Sequence, residues 1–202
     1  QMSINVCNNN SLSAITSIPD SISGGVLNLL STQTASSSAT INFTSGLDST
    51  YKEYIIKFIE VHPATDNAEF EFQASKDGGS NYNVTVNTSF FESVHSENDT
   101  TTSLAYNTTF DAAQSTSYAD LIANCGYDSD QCFNGTFHLF DPSNTTFHKH
   151  FHCVTNNSRG VDRTVTTFVG GYFNDTDNID AISFKFSSGN IDSGTFKLYG
   201  VS

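Results

Sequence analysis

Glu69-Phe70-Glu71-Phe72-Gln73 places an aromatic side chain at every second position, between polar ones. In an extended chain successive side chains point to opposite faces. This stretch therefore presents one phenylalanine face and one polar face, the mark of a strand with one side in a core. The same period of two holds upstream in Thr40-Ile41-Asn42-Phe43-Thr44. Between them, Tyr54-Ile55-Ile56-Lys57-Phe58-Ile59-Glu60-Val61 is longer and more apolar, as a more deeply buried strand would be. Lys76-Asp77-Gly78-Gly79-Ser80-Asn81 has turn composition. After it, Tyr82, Val84 and Val86 share one face of an alternating run, and Asn83, Thr85 and Asn87 share the other.

Further strands are expected over 135–140, 146–154, 164–173, 181–186 and 195–201. The last two flank Ser187-Ser188-Gly189-Asn190-Ile191-Asp192-Ser193-Gly194, which reads as a hairpin loop with glycine at both ends. Residues 111–124 form the one plausible helix, short and weakly amphipathic. About eight to ten strands separated by turn signals predict an all-β chain, an antiparallel β-sandwich of jelly-roll type. At 202 residues the chain suits one such domain over 35–202. Residues 1–34, rich in Ser and Asn, read as an N-terminal extended arm, or as a first strand near 26–30.

Composition narrows the function. The net charge is −13 with only eight Lys plus Arg. Phosphate neutralisation needs clustered basic residues, so nucleic acid is not expected as a partner, and an anionic membrane is disfavoured for the same reason. No apolar run approaches the roughly 18 residues of a membrane-spanning helix, so no membrane insertion is expected. The first residue is Gln1, which fits a mature N-terminus left by signal cleavage.

Ten Asn-x-Ser/Thr sequons fall at Asn9, Asn42, Asn83, Asn87, Asn98, Asn107, Asn134, Asn144, Asn156 and Asn174, none with Pro in the middle. Composition alone would give roughly five by chance. Their even spread predicts N-linked glycans over much of the surface, and hence passage through a eukaryotic secretory route. Four cysteines suggest two disulfides, with three connectivities open. The simplest pairing joins Cys125 to Cys132 across a polar loop and Cys7 to Cys153.

Each candidate for chemistry has a plainer explanation beside it. His148, His150 and His152 point the same way in a strand and could ligate zinc or nickel. A polar strand face opposite Phe147, Phe151 and Cys153 explains them equally well. Asp175 and Asp177, in Asn174-Asp175-Thr176-Asp177-Asn178-Ile179-Asp180, alternate oxygen ligands as a calcium loop does, but without its glycine and closing glutamate. A solvated turn is the simpler account. No metal is therefore assigned, no cofactor is expected, and calcium stays the one ion worth testing. Glu69 and Glu71 imitate a glycosidase carboxylate pair, yet they are also the solvated side opposite Phe70 and Phe72. No Gly-x-Ser-x-Gly elbow occurs. No catalytic residue is assigned.

Several long blocks carry a resemblance. They include Phe43-Thr44-Ser45-Gly46-Leu47-Asp48-Ser49-Thr50-Tyr51, His62-Pro63-Ala64-Thr65-Asp66-Asn67 and Gly78-Gly79-Ser80-Asn81-Tyr82. Others are His138-Leu139-Phe140-Asp141-Pro142-Ser143-Asn144-Thr145-Thr146-Phe147 and Gly171-Tyr172-Phe173-Asn174. The last runs from Phe184-Lys185-Phe186 to Lys197-Leu198-Tyr199-Gly200. From about residue 10 onward the chain resembles a fibre-like family of virion structural proteins of aquatic phages and related viruses. The resemblance implies a non-enzymatic exterior part and brings no catalytic residues. Members of that family rarely bear cysteines and come from bacterial viruses. The added cysteines and sequons imply adaptation to a eukaryotic secretory route. The expected function is a glycosylated structural subunit of a virion exterior or extracellular filament. Its partners would be copies of itself, and beyond them other coat proteins or surface glycans. The alternative is a carbohydrate- or receptor-binding β-sandwich module.

Overall fold

The computed structural model describes residues 26–160 and 162–202. These residues are all-β, with two antiparallel sheets packed face to face. The first strands are β1 (Leu27–Ser38), β2 (Ile41–Phe43), β3 (Glu53–Pro63), β4 (Ala68–Ser75), β5 (Val86–Ser96) and β6 (Thr102–Tyr106). They are followed by β7 (Ala119–Cys125), β8 (Phe133–Phe140), β9 (Lys149–Arg159), β10 (Arg163–Phe173), β11 (Ala181–Phe186) and β12 (Ile191–Val201). The large sheet has eight strands in the order β1-β12-β3-β8-β9-β10-β5-β6. The small sheet has four, in the order β2-β11-β4-β7. The sandwich is thus asymmetric, with eight and four strands in place of the two equal sheets of a simple jelly roll.

The core is the interlock of the two phenylalanine faces. Phe70 and Phe72 of the small sheet are completely buried, as the alternation in β4 requires. Phe58 of β3 is the hub: its ring lies 5.1–5.9 Å from those of Phe70, Phe133, Phe184 and Phe196, all in edge-on arrangements. Edge-to-face geometry suits the ring quadrupoles and adds to the area term. Where the small sheet ends, the segment 107–118 covers the inner face of β5. Phe110 meets Phe90 at 5.4 Å, and Gln73 holds the segment through its Nε2, which donates to the carbonyls of Thr116 and Ser117.

The outer face of the large sheet is continuous. One register row runs Tyr106, Phe91, Phe168, Val154, Thr136, Lys57, Lys197, Thr32, from β6 to β1. It is aromatic at the β6 end, where Phe91 and Phe168 stack at 5.0 Å. At the other end it is cationic, with Lys57 lying over the Tyr199 ring.

Four expectations change. The helix over 111–124 does not form, and its second half is β7, where Leu121, Ile122 and Ala123 are all buried. Burial against the large sheet and pairing with β4 outweigh the weak local helical preference. β11 and β12 are not a hairpin. They lie in different sheets, so residues 187–190 carry the chain from one layer to the other. The strand after the 76–81 turn starts at Val86 instead of Tyr82, although Val84 and Val86 are buried and Asn83 is exposed as the alternation predicts. Finally, β1 crosses the expected boundary between arm and domain at residue 34. Its residues pair with β12 along the whole strand, with a bulge at Leu30. Strand β1 thus takes in 27–34, beyond the 26–30 expected for a first strand, and the part of the expected arm before Val26 lies outside the described residues.

Candidate functional site

Strands β1 and β6 end the large sheet. Neither contains a charged residue or a proline. Natural sheets usually blunt an edge with lysine, proline or an inward charge, because a bare row of N–H and C=O groups templates another strand. Both edges also expose apolar side chains. On β1 these are Leu27, Leu29 and Leu30, with Val26 just before it, and Leu29 is 55% exposed. On β6 they are Leu104, 73% exposed, and Tyr106. Among the described residues β1 pairs only with β12, and β6 only with β5. The edges of the small sheet are better defended: β2 is three residues long, and β7 carries Asp120.

The sequons fall into distinct settings, with Asn9 outside the described residues. Asn83, Asn98, Asn134 and Asn156 are exposed, while Asn42, Asn87, Asn107, Asn144 and Asn174 are half-buried. At Asn98, Asn107 and Asn144 the side-chain Oδ1 accepts the main-chain N–H of the sequon's own threonine, at 3.1, 3.2 and 2.7 Å. These are Asx turns in the connections between strands. Asn87 differs, because its Nδ2 is enclosed and its Oδ1 accepts from the Gln114 N–H. Asn156 spends its Nδ2 on Thr164, Val165 and Thr166. Spacing along the sequence does not reveal these differences, since they depend on what each amide meets across the sheet.

Among the described residues the expected pairing of Cys125 with Cys132 does not form. Cys125, Cys132 and Cys153 are free thiols, and Cys7 lies outside the described residues. Cys125 closes β7 with its side chain in the core, whereas Cys132 is half-exposed where β8 begins. Burial pushes the Cys125 thiol up to about 12 and raises Cys153 as well.

His148, His150 and His152 do share the outer face of the large sheet. Each is engaged with a ring neighbour. His152 stacks on His138 at 4.4 Å, while His148 and His150 both pack on Tyr172. Their backs are Lys149, Phe151 and Cys153. Phe147, expected inside, lies before β9 begins and is exposed. Among the described residues no three ligand side chains gather around one point. Asp175 and Asp177 converge on an ammonium group: Lys76 Nζ donates to both carboxylates, at 2.7 and 2.8 Å. The buried Lys149 donates to their two backbone carbonyls. Two lysines thus take the oxygen ligands of the calcium-like loop.

Glu69 and Glu71 face outward from the small sheet, as the alternation requires. Glu71 pairs with Lys185 at 3.0 Å, and Glu69 bonds Ser187. Sequence reasoning missed Asp120, the register partner of Glu71 on β7. Burial, then the charges of Glu71 and Glu69, push its carboxyl up to about 7. It was hidden because β7 was read as helix.

A further cavity of about 570 Å³ opens at the end of β3, lined by Glu60, His62, Tyr127, Asp130, Gln131 and Asp192 among others. His62 Nε2 donates to the Tyr127 carbonyl at 2.9 Å, and Nδ1 faces Asp192. Glu60 sits on a bulge of β3 with φ of 52°, a left-handed conformation rare for a residue other than glycine.

No family model matches the chain, and no curated protein or solved structure is significantly similar to it.

Proposed function

We propose that this chain is a glycosylated extracellular structural subunit, without enzymatic activity, that assembles with copies of itself into a virion exterior or an extracellular filament. The observation that carries this is the β1 edge. It is twelve residues long and uncharged, exposes Leu27, Leu29 and Leu30 at its start, and follows residues 1–25 in the chain. An extended segment can add to such an edge and gain main-chain hydrogen bonds with little demand on sequence. Residues 1–25 are the segment assigned to that role, donated by a neighbouring copy. Their apolar positions Leu12, Ile15, Ile18 and Ile22 would be covered in the assembly. Other coat proteins or surface glycans are the further partners this role implies. The sequons support export through a eukaryotic secretory pathway and a place on the extracellular or virion surface.

Deletion of residues 1–25 tests this. Sedimentation should show the assembly reduced to single subunits, while circular dichroism keeps the β signal. Unchanged assembly would overturn the role of the segment.

The cavity beside β3 favours a second role, a carbohydrate- or receptor-binding module. Its carboxylates accept hydrogen bonds from sugar hydroxyls, and the half-exposed Tyr127 offers a ring for stacking. A glycan array probed with and without calcium separates the two: discrete glycan binding by a monomeric chain would favour the module.

A further inference from the structure

We propose that N-glycans on Asn98 and Asn107 screen the β6 edge and so confine strand addition to the β1 edge. This rests on the glycosylated assembly proposed above, and it names the modified residues and what their sugars do.

The two acceptors bracket β6. Asn98 lies in the turn between β5 and β6, and Asn107 is the first residue after Tyr106. At Asn98 the side-chain oxygen accepts from both the N–H and the hydroxyl of Thr100, at 3.1 and 2.6 Å. At Asn107 it accepts from the Thr109 N–H, while the Asn107 main-chain N–H donates to the Phe90 carbonyl at 2.9 Å. In both, the fold uses the carbonyl end of the side chain, and among the described residues Nδ2 makes no hydrogen bond.

Glycan transfer uses that nitrogen. Nδ2 gives up one proton and attacks the anomeric carbon of a lipid-diphosphate-linked oligosaccharide. The N–C bond forms as the C–O bond to the diphosphate breaks, and the lipid diphosphate leaves with the electron pair. Modification at Asn98 and Asn107 therefore costs the folded chain no hydrogen bond. At Asn87 the nitrogen is enclosed, and at Asn156 it serves three acceptors. Sugar at either site disrupts native contacts.

The position gives the sugars a task. β6 has five residues, spanning about 17 Å by strand rise. It has no charge or proline to repel a second strand, and Leu104 stands exposed on it. A bulky, solvated glycan at each end leaves an incoming strand no room to lie along it. β1 contains no sequon and stays open.

The full chain is produced in a glycosylating eukaryotic cell, and occupancy is read by mass spectrometry after amidase release in ¹⁸O water. Asn98 and Asn107 should be occupied, and Asn87 bare. The folded wild type is then trimmed with an endoglycosidase and compared in sedimentation with the Thr100→Ala/Thr109→Ala variant. Both should show a severalfold rise in weight-average mass, from association through β6. Leu104→Lys in the sugar-free variant should reverse it, and Asn83→Gln should leave the wild-type distribution unchanged. Asn98 or Asn107 bare on a chain glycosylated elsewhere would overturn the inference alone, as would an unchanged mass after trimming. A chain bare at every sequon would overturn the glycosylated subunit as well.

Discussion

Strand β1 closes the large sheet on one side and β6 closes it on the other. Both lack charge and both expose leucine, so by composition they are equally inviting to a further strand. Their surroundings differ. β1 is twelve residues long, contains no sequon, and continues from residues 1–25. β6 is five residues long and lies between Asn98 and Asn107, beside the stacked Phe91 and Phe168. An edge can be defended by its own side chains or by what is attached beside it. The small sheet shows the first device, with Asp120 on its β7 edge. We assign the second to β6 and neither to β1.

The most severe way to break the comparison is to remove the frame that holds both edges. Phe58→Ala empties the centre of the ring cluster, and burial of this kind costs about 3–5 kcal/mol when truncated. A urea titration should show a stability loss of that size. A loss below about 1 kcal/mol would mean that the two sheets do not depend on this contact.

Next in size is a direct contest between the edges. Leu27→Lys/Leu29→Lys should weaken association at least about tenfold, or about 1.4 kcal/mol, whereas Leu104→Lys on the glycosylated chain should leave it unchanged. Sedimentation equilibrium reads both. Equal effects would erase the asymmetry.

The last contrast concerns the acidic edge of the small sheet. Asp120 has its carboxyl raised to about 7, against an ordinary value of 3.8. Between those values the folded chain holds a proton that the unfolded chain has released. Stability therefore falls as pH rises through that window and levels off above it. Asp120→Asn should flatten the profile of urea midpoints between about pH 4 and 7. A wild-type profile already as flat as that of the variant would contradict the assignment.

Much of the fold is legible where burial is one-sided. Phe70 and Phe72 alternate with glutamates, and both proved to be core. β1 was only partly legible, because Ser31 to Ser38 is polar on both faces and gives an edge strand no apolar period. β7 was misread because Leu121-Ile122-Ala123 lacks alternation: all three are buried, so no face is left to mark the period. The 187–194 segment carried correct turn residues, yet nothing local distinguishes a hairpin from a passage between sheets. The sequons were legible as a list. Which amides are free depends on partners the fold brings up, such as the distant Gln114 for Asn174 and Thr164 on the neighbouring strand for Asn156.

Electron cryo-microscopy of the assembled, glycosylated chain tests the central claim most directly. The account predicts a neighbouring copy's backbone running alongside β1, in hydrogen-bonding register, with branched density beside β6 at Asn98 and Asn107. A β1 edge open to solvent, with subunits joined through other surfaces, would contradict it.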